Sequence, residues 1–366
     1  MSLLLRQAGC ALFLLAAGGA SWSCGPPYKP GEARHAVDFH THIAAGGSER
    51  AAAIARASGI DLMVNMVGRP AGSVLDAYLK EAASVSVRNP GFRMLVFSGV
   101  DWGLVDDPQF GELSADNLRQ AIAAGAVGLK LFKSFGLGVR TANGKLLKVD
   151  DPRLDPLWRA AGELGVPVAI HTGDPLAFFK PPTPDNERYE EIEAHPSWSF
   201  YGADYPTLEE LIAARDRLVA RHPRTIFVAV HVGGFPENIQ AVARSMRALP
   251  NLYIDVAARL PEIGRGEPGA LHHFFDEFQD RVLLGTDLEV DRKHLVLGSG
   301  GPNDNPNIDD ARKYYDVHWR FFETRDRGFA HMTPVQGHWT INGIGLSRSA
   351  LDKIYRDNAR RLLKMK

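Results

Sequence analysis

The stretch Ala36-Val37-Asp38-Phe39-His40-Thr41-His42 decides how the rest of the chain is read. Ala36 to Phe39 is a short apolar run with the character of a β-strand. Residues two apart on a strand share a face, so His40 and His42 leave its C-terminal end together. Two imidazoles on one side of a rigid element begin a transition-metal site. A His-x-His pair also arises by chance, so its meaning depends on how the later strands end.

Working outward, seven further runs have strand character: Asp61–Met66, Arg93–Gly99, Ala126–Phe132, Val166–Ile170, Thr225–Val230, Leu252–Val256 and Arg281–Leu284. Most are continuously apolar, as in a parallel sheet covered on both faces. Helical patterns lie between them. Ser114 is placed to cap a helix through Ala124 with Gly125 at its end, and Thr207 with Glu210 spells a capping box. Eight strands alternating with helices predict a (β/α)8 barrel, a TIM barrel. A doubly wound sheet is the alternative, but it normally carries a Gly-rich loop after its first strand and Gly46-Gly47 lacks the spacing.

Two long segments interrupt the alternation after strands five and eight, 172–206 and 288–349. On a barrel both lie on the rim where active sites form. Their aromatic residues, among them Phe178, Phe179, Tyr314, Tyr315, Trp319, Phe321, Phe322 and Trp339, either wall a pocket or pack as a satellite core.

The strand ends answer the opening question. Strand five ends in His171, strand six in His231 and strand eight in Leu284-Gly285-Thr286-Asp287. Four β/α units of roughly 30 residues separate His42 from His171. Taken singly, His171 and His231 read as satisfied core histidines and Asp287 as a turn residue. Together with His40 and His42 they converge on one barrel mouth, where so many buried titratable groups without a metal would carry uncompensated desolvation. His222, His272 and His273 fall on helices and read as structural.

The ends of the chain have their own grammar. The 366 residues are 45% apolar and 23% charged with a net charge of −1, ordinary for a globular protein with a large core and without the basic face that nucleic acid requires. Arg6 and the apolar run Ala11 to Ala17 read as an export signal over residues 1–23. Cys24 follows as a candidate lipid anchor, with 24–34 as a tether and 35–366 as the catalytic domain. The only other cysteine, Cys10, lies within the leader, so the mature chain would have no internal disulfide. This places the chemistry outside the cytoplasm, in the periplasm or cell envelope, with the membrane touched only through that anchor.

The ordered set resembles the amidohydrolase superfamily, more narrowly its amidohydrolase-related branch, amidohydrolase family 2. The matches are Asp38 to His42, Gly128-Leu129-Lys130, Ile170-His171, Val230-His231-Val232-Gly233, Leu284 to Asp287, and Asp357-Asn358-Ala359-Arg360-Arg361-Leu362-Leu363. The resemblance implies a distorted TIM barrel with a divalent metal held by His40, His42, His171 and Asp287. It gives His231 and Asp287 the acid/base work. In two-metal relatives His231 would bind the second ion, and Lys130, once carboxylated, would bridge the pair; Lys133 is its nearby rival, and a salt bridge or a substrate contact is the other role open to both. Zn²⁺ is the default ion for three imidazoles and a carboxylate, with Mn²⁺, Fe²⁺ and Ni²⁺ compatible. One ion is expected, two if Lys130 is carboxylated. The reaction implied first is hydrolysis of a small molecule's amide, ester or lactone by activated water. The second is non-oxidative decarboxylation of an aromatic or unsaturated acid, and the third a barrel that only binds its ligand.

Overall fold

The computed structural model describes residues 29, 33–300 and 304–365. The leader, Cys24 and most of the tether lie outside them. Ten strands form one sheet in the order β10-β9-β1-β2-β3-β4-β5-β6-β7-β8. They are β1 Ala36–Ile43, β2 Ile60–Arg69, β3 Arg93–Ser98, β4 Leu129–Leu131, β5 Val168–Ile170, β6 Phe227–Ala229, β7 Leu252–Asp255, β8 Val282–Leu283, β9 Leu288–Val290 and β10 Leu295–Leu297. Strands β1 to β8 run parallel, each joined to the next through a helical segment, and all eight expected strands are present. The seam between β8 and β1 is bridged by Phe39 N donating to Leu284 O and Asp287 N donating to His40 O, both at 2.9 Å. The curled sheet is thereby a distorted α/β barrel.

The first strand differs from expectation in a way that matters. It runs on to Ile43, so both histidines lie within it. Its register on β2 shifts between Asp38 and Thr41, where β1 has one residue more than its neighbour. Val37 and Phe39 belong to the apolar cluster inside the barrel, with Leu62, Val64, Phe97, Ala169 and Val228. A strand without a bulge would send His40 to the opposite side. The extra residue reverses the phase, and His40 and His42 face inward above that cluster.

Other differences have simple causes. The helix before Gly125 begins at Phe110, not Ser114; Ser114 is buried within it and its hydroxyl has no partner among the described residues. The capping box of Thr207 and Glu210 forms on both sides. The segment after strand eight contains strands of its own: β9 pairs with β1, and β10 turns back on β9. Asn358 in the terminal motif donates to Gln279 O and Val282 O at 2.7 and 2.8 Å, so that motif closes the far end of the barrel. No helix among the described residues is long and apolar enough to cross a membrane.

Candidate metal centre

Three histidine side chains are fixed by what their Nδ1 atoms touch. His42 Nδ1 lies 3.1 Å from Met66 O and His231 Nδ1 2.9 Å from Ala257 O, and a carbonyl only accepts. His40 Nδ1 lies 2.8 Å from the Asp255 carboxylate. Each Nδ1 therefore carries the proton and each Nε2 presents a lone pair. Burial pushes the His40 and His231 imidazoles well below their usual range, which keeps them neutral.

The lone pairs converge. His40 Nε2 and His42 Nε2 are 3.2 Å apart, and Asp287 Oδ1 lies 3.3 and 3.2 Å from them. That oxygen is buried with no hydrogen-bond partner among the described residues. Three facing lone pairs repel unless a cation lies between them. Ligands at about 2.0–2.2 Å from one ion sit about 3.0–3.4 Å from each other, so the triangle has the size a divalent metal requires. A second group, His40, His231 and Asp255, also has its donor atoms within 4.8 Å of one another.

The backbone is bent to achieve this. His231, Val232 and Asp287 adopt φ of 60°, 55° and 61°, a left-handed conformation that costs non-glycine residues on the order of 1–3 kcal/mol each. The turn at His231 re-aims a side chain that the strand would otherwise direct to the helix layer. Its ring lies 4.9 Å from that of His40 and 4.2 Å from that of His171, centre to centre. Gly285 is required at the seam because a Cβ there would lie 2.9 Å from His40 Cβ. The buried Asp38 carboxylate fastens the same seam: it accepts from Thr286 Oγ1 at 2.5 Å, Tyr315 OH at 2.6 Å and the amides of His40 and Thr286.

His171 reaches the cluster with one nitrogen already engaged. Its Nε2 lies 3.2 Å from Asp174 Oδ1, which leaves Nδ1 as its free ligand atom. Asp174 also pairs with Lys133 at 2.9 Å and Arg259 at 3.2 Å; those cations and His171 overcome its burial and hold it well below the usual carboxylate range. The two lysines part company here. Lys130 is buried, its Nζ lies 3.0 Å from His40 Nε2, and burial lowers its pKa to about 8. It makes no ion pair among the described residues. Lys133 lies on the rim against the face of Trp198.

A cavity of about 320 Å³ opens over the cluster. Phe132, Phe178 and Trp198 form aromatic walls, and Lys133 and Arg259 supply positive charge beside His171 and Asp287. The aromatic residues of the second insertion divide differently: Tyr314, Tyr315, Trp319, Phe321 and Phe322 are buried in the core and do not line this cavity. Asp174, Asp255, Arg259 and Glu289 carry no motif that marks them in advance. Only the position of Asp255 at the end of strand seven offers a signal.

A histidine–carboxylate cluster at the mouth of a parallel barrel defines a class, the metal-dependent barrel enzymes. The family model described as Amidohydrolase matches residues 98–365, well over half of the chain, and the protein belongs to that family. A stretch of 218 residues is 24% identical to the gamma-resorcylate decarboxylase of Rhodococcus jostii (strain RHA1), covering 56% of this chain and 60% of that one. The match thus spans less than two thirds of that relative's length. The structure is similar to a 2,6-dihydroxybenzoate decarboxylase from Rhizobium, with 18% identity, a TM-score of 0.52, and coverage of 90% of this chain and 98% of that one. It is also similar to a D-hydantoinase from Thermus sp., with 16% identity, a TM-score of 0.50, and coverage of 91% and 70%. At these identities the likeness establishes the shared barrel.

Proposed function

We propose that the protein is a metal-dependent, non-oxidative decarboxylase of an aromatic or unsaturated acid. The observation that carries this reading is the inner cavity, where aromatic walls meet two fixed cations directly beside the histidine–carboxylate cluster. Lys133 and Arg259 both pair with Asp174, and with an ion bound at the cluster they would draw an acid's carboxylate to this end of the cavity. The names of two relatives point the same way, and decarboxylation takes precedence over the hydrolysis that the residue types suggest first.

In this reading His40, His42 and Asp287 hold the ion, with His171 joining through Nδ1. A bound divalent ion supplies Lewis acidity toward substrate oxygens. Phe132, Phe178 and Trp198 orient the ring and exclude water, and Arg259 and Lys133 attract the carboxylate. The bond to the carboxyl carbon breaks, carbon dioxide leaves, and the electron pair on the ring carbon takes a proton. Asp287 and His231, which face the cavity, are the groups that carry that proton.

Product analysis in labelled water tests the reading. Decarboxylation in D₂O releases CO₂ and leaves one deuterium on the product carbon. Uptake of ¹⁸O from water into a new carboxyl group, without CO₂, replaces it with hydrolysis, which the same five residues serve equally well. We also propose that the leader exports the protein and that Cys24 carries lipid. Palmitate labelling lost in Cys24→Ser is the expected outcome, and unchanged labelling refutes it.

A further inference from the structure

The inner cavity does not end at its rim. A second cavity of about 650 Å³ adjoins it, and the two share Trp198, Glu289, Gly298 and Ser299. Ligand pockets of about 300–1,000 Å³ enclose drug-sized molecules, so the inner chamber suits a single-ring acid and the pair suits something longer.

The chambers differ in their charged groups. Lys133 and Arg259 line the inner one, beside the metal-site cluster and the carboxylates of Asp174, Glu191 and Glu289. The outer one is lined by the carboxylates of Glu289, Asp304 and Asp310, with no lysine or arginine among the described residues around it. Leu295, Leu297 and Met332 give it an apolar wall. Asp310 is already engaged, since it accepts from Asn307 N as part of a helix cap. Glu289 is not. It makes no hydrogen bond or ion pair among the described residues, and it is exposed within the shared wall. The β1–β9 register pairs it with His42, which places both side chains on the same face of the sheet.

We propose that the substrate is an elongated, zwitterionic acid that spans both chambers. Its carboxylate and ring occupy the inner chamber, an apolar spacer passes Trp198, and a protonated amine pairs with Glu289 in the outer chamber. The inference rests on the inner chamber being the acid site, and Glu289 is the specificity-determining residue.

Calorimetric binding to the purified protein tests this without requiring turnover. The probes are benzoate and two para-substituted benzoates with the same alkyl spacer, one ending in ammonium and one in methyl. The ammonium-tailed acid binds at least about tenfold more tightly than its methyl-tailed partner, and Glu289→Gln brings that ratio close to one. Val296→Trp, which fills the outer chamber from another wall position, lowers the affinity of both long acids relative to benzoate. Equal affinity of the two long acids, a ratio unchanged in Glu289→Gln, or no binding of any acid overturns the proposal. Should the long acids bind in the expected ratio without releasing CO₂, the decarboxylase reading fails and the two-chamber assignment stands.

Discussion

Two long segments rise from the same rim and both carry many aromatic residues, yet those residues do different work. Segment 172–206 contributes Asp174, Phe178 and Trp198 to the inner cavity. Segment 288–349 lends Glu289, Gly298 and Ser299 to the same cavity but buries the aromatic residues of its long helix as an extension of the core. Periodicity accounts for the difference. In the helix Ile308–Glu323, the residues Ala311, Tyr314, Tyr315, His318, Trp319 and Phe322 recur at three- and four-residue spacing, and all are buried. Segment 172–206 is broken by Pro175, Pro181, Pro182, Pro184 and Pro196 into helical pieces of three to six residues. Such pieces present no continuous face to bury, and their side chains remain available to the cavity.

The largest effect that can break this comparison comes from the mouth itself. His40→Ala combined with His42→Ala abolishes stoichiometric divalent metal, read by elemental analysis, and reduces activity to background while the far-ultraviolet circular dichroism stays that of the folded barrel. Full metal content in the double variant would show that the cluster lies elsewhere. Next in size is Trp319→Ala. Trp319 is 1% exposed and packs on Tyr315 and Tyr355. Its removal costs about 3–5 kcal/mol of stability in denaturant titration, with metal content retained in the fraction that folds. A destabilisation below 1 kcal/mol would mean that the second insertion is not core.

A smaller effect probes the place where the buried helix of the second insertion reaches the strand that carries the histidines. Tyr315→Phe deletes the donor 2.6 Å from Asp38 Oδ2 and keeps the ring. Burial has already raised the Asp38 pKa to about 6, and each lost donor makes its charge harder to hold. Chemical unfolding is expected to show a loss of about 1.5–3 kcal/mol, the range for a hydrogen bond to a charged group. No loss would mean that Thr286 and the two amides suffice to hold Asp38.

The legible and illegible parts of the sequence divide along physical lines. Strand runs are apolar because both sheet faces are covered, and the pattern reveals all eight. His40, His42, His171, His231 and Asp287 are legible because they lie in or just beyond the C-terminal parts of strands, and a barrel brings those parts together. Asp174 is not, because it acts through tertiary partners 41 and 85 positions away. Nor is the bulge in β1, since one added residue leaves the apolar pattern almost unchanged yet decides which way both histidines face. Asp255 and Glu289 are single carboxylates at a strand end and on a short strand, and their residue type alone does not distinguish a site from a surface.

The smallest effect is the most discriminating for the first insertion. Trp198 is half-buried, with Lys133 Nζ 3.7 Å from its ring centre and His195 stacked on it at 4.2 Å. Contacts of this kind are worth about 0.5–2 kcal/mol, and partial exposure brings the figure toward the lower end. Trp198→Ala is therefore expected to change unfolding free energy by less than about 1 kcal/mol, close to a surface substitution. Its effect falls on the substrate: Trp198 belongs to both chambers and holds Lys133 in place, so KM rises about tenfold while kcat changes little, as for lost uniform binding. Trp198→Phe keeps a ring for the lysine and the stack and recovers most of the loss. A large stability loss with unchanged KM would make Trp198 a core residue like Trp319 and erase the distinction between the two insertions.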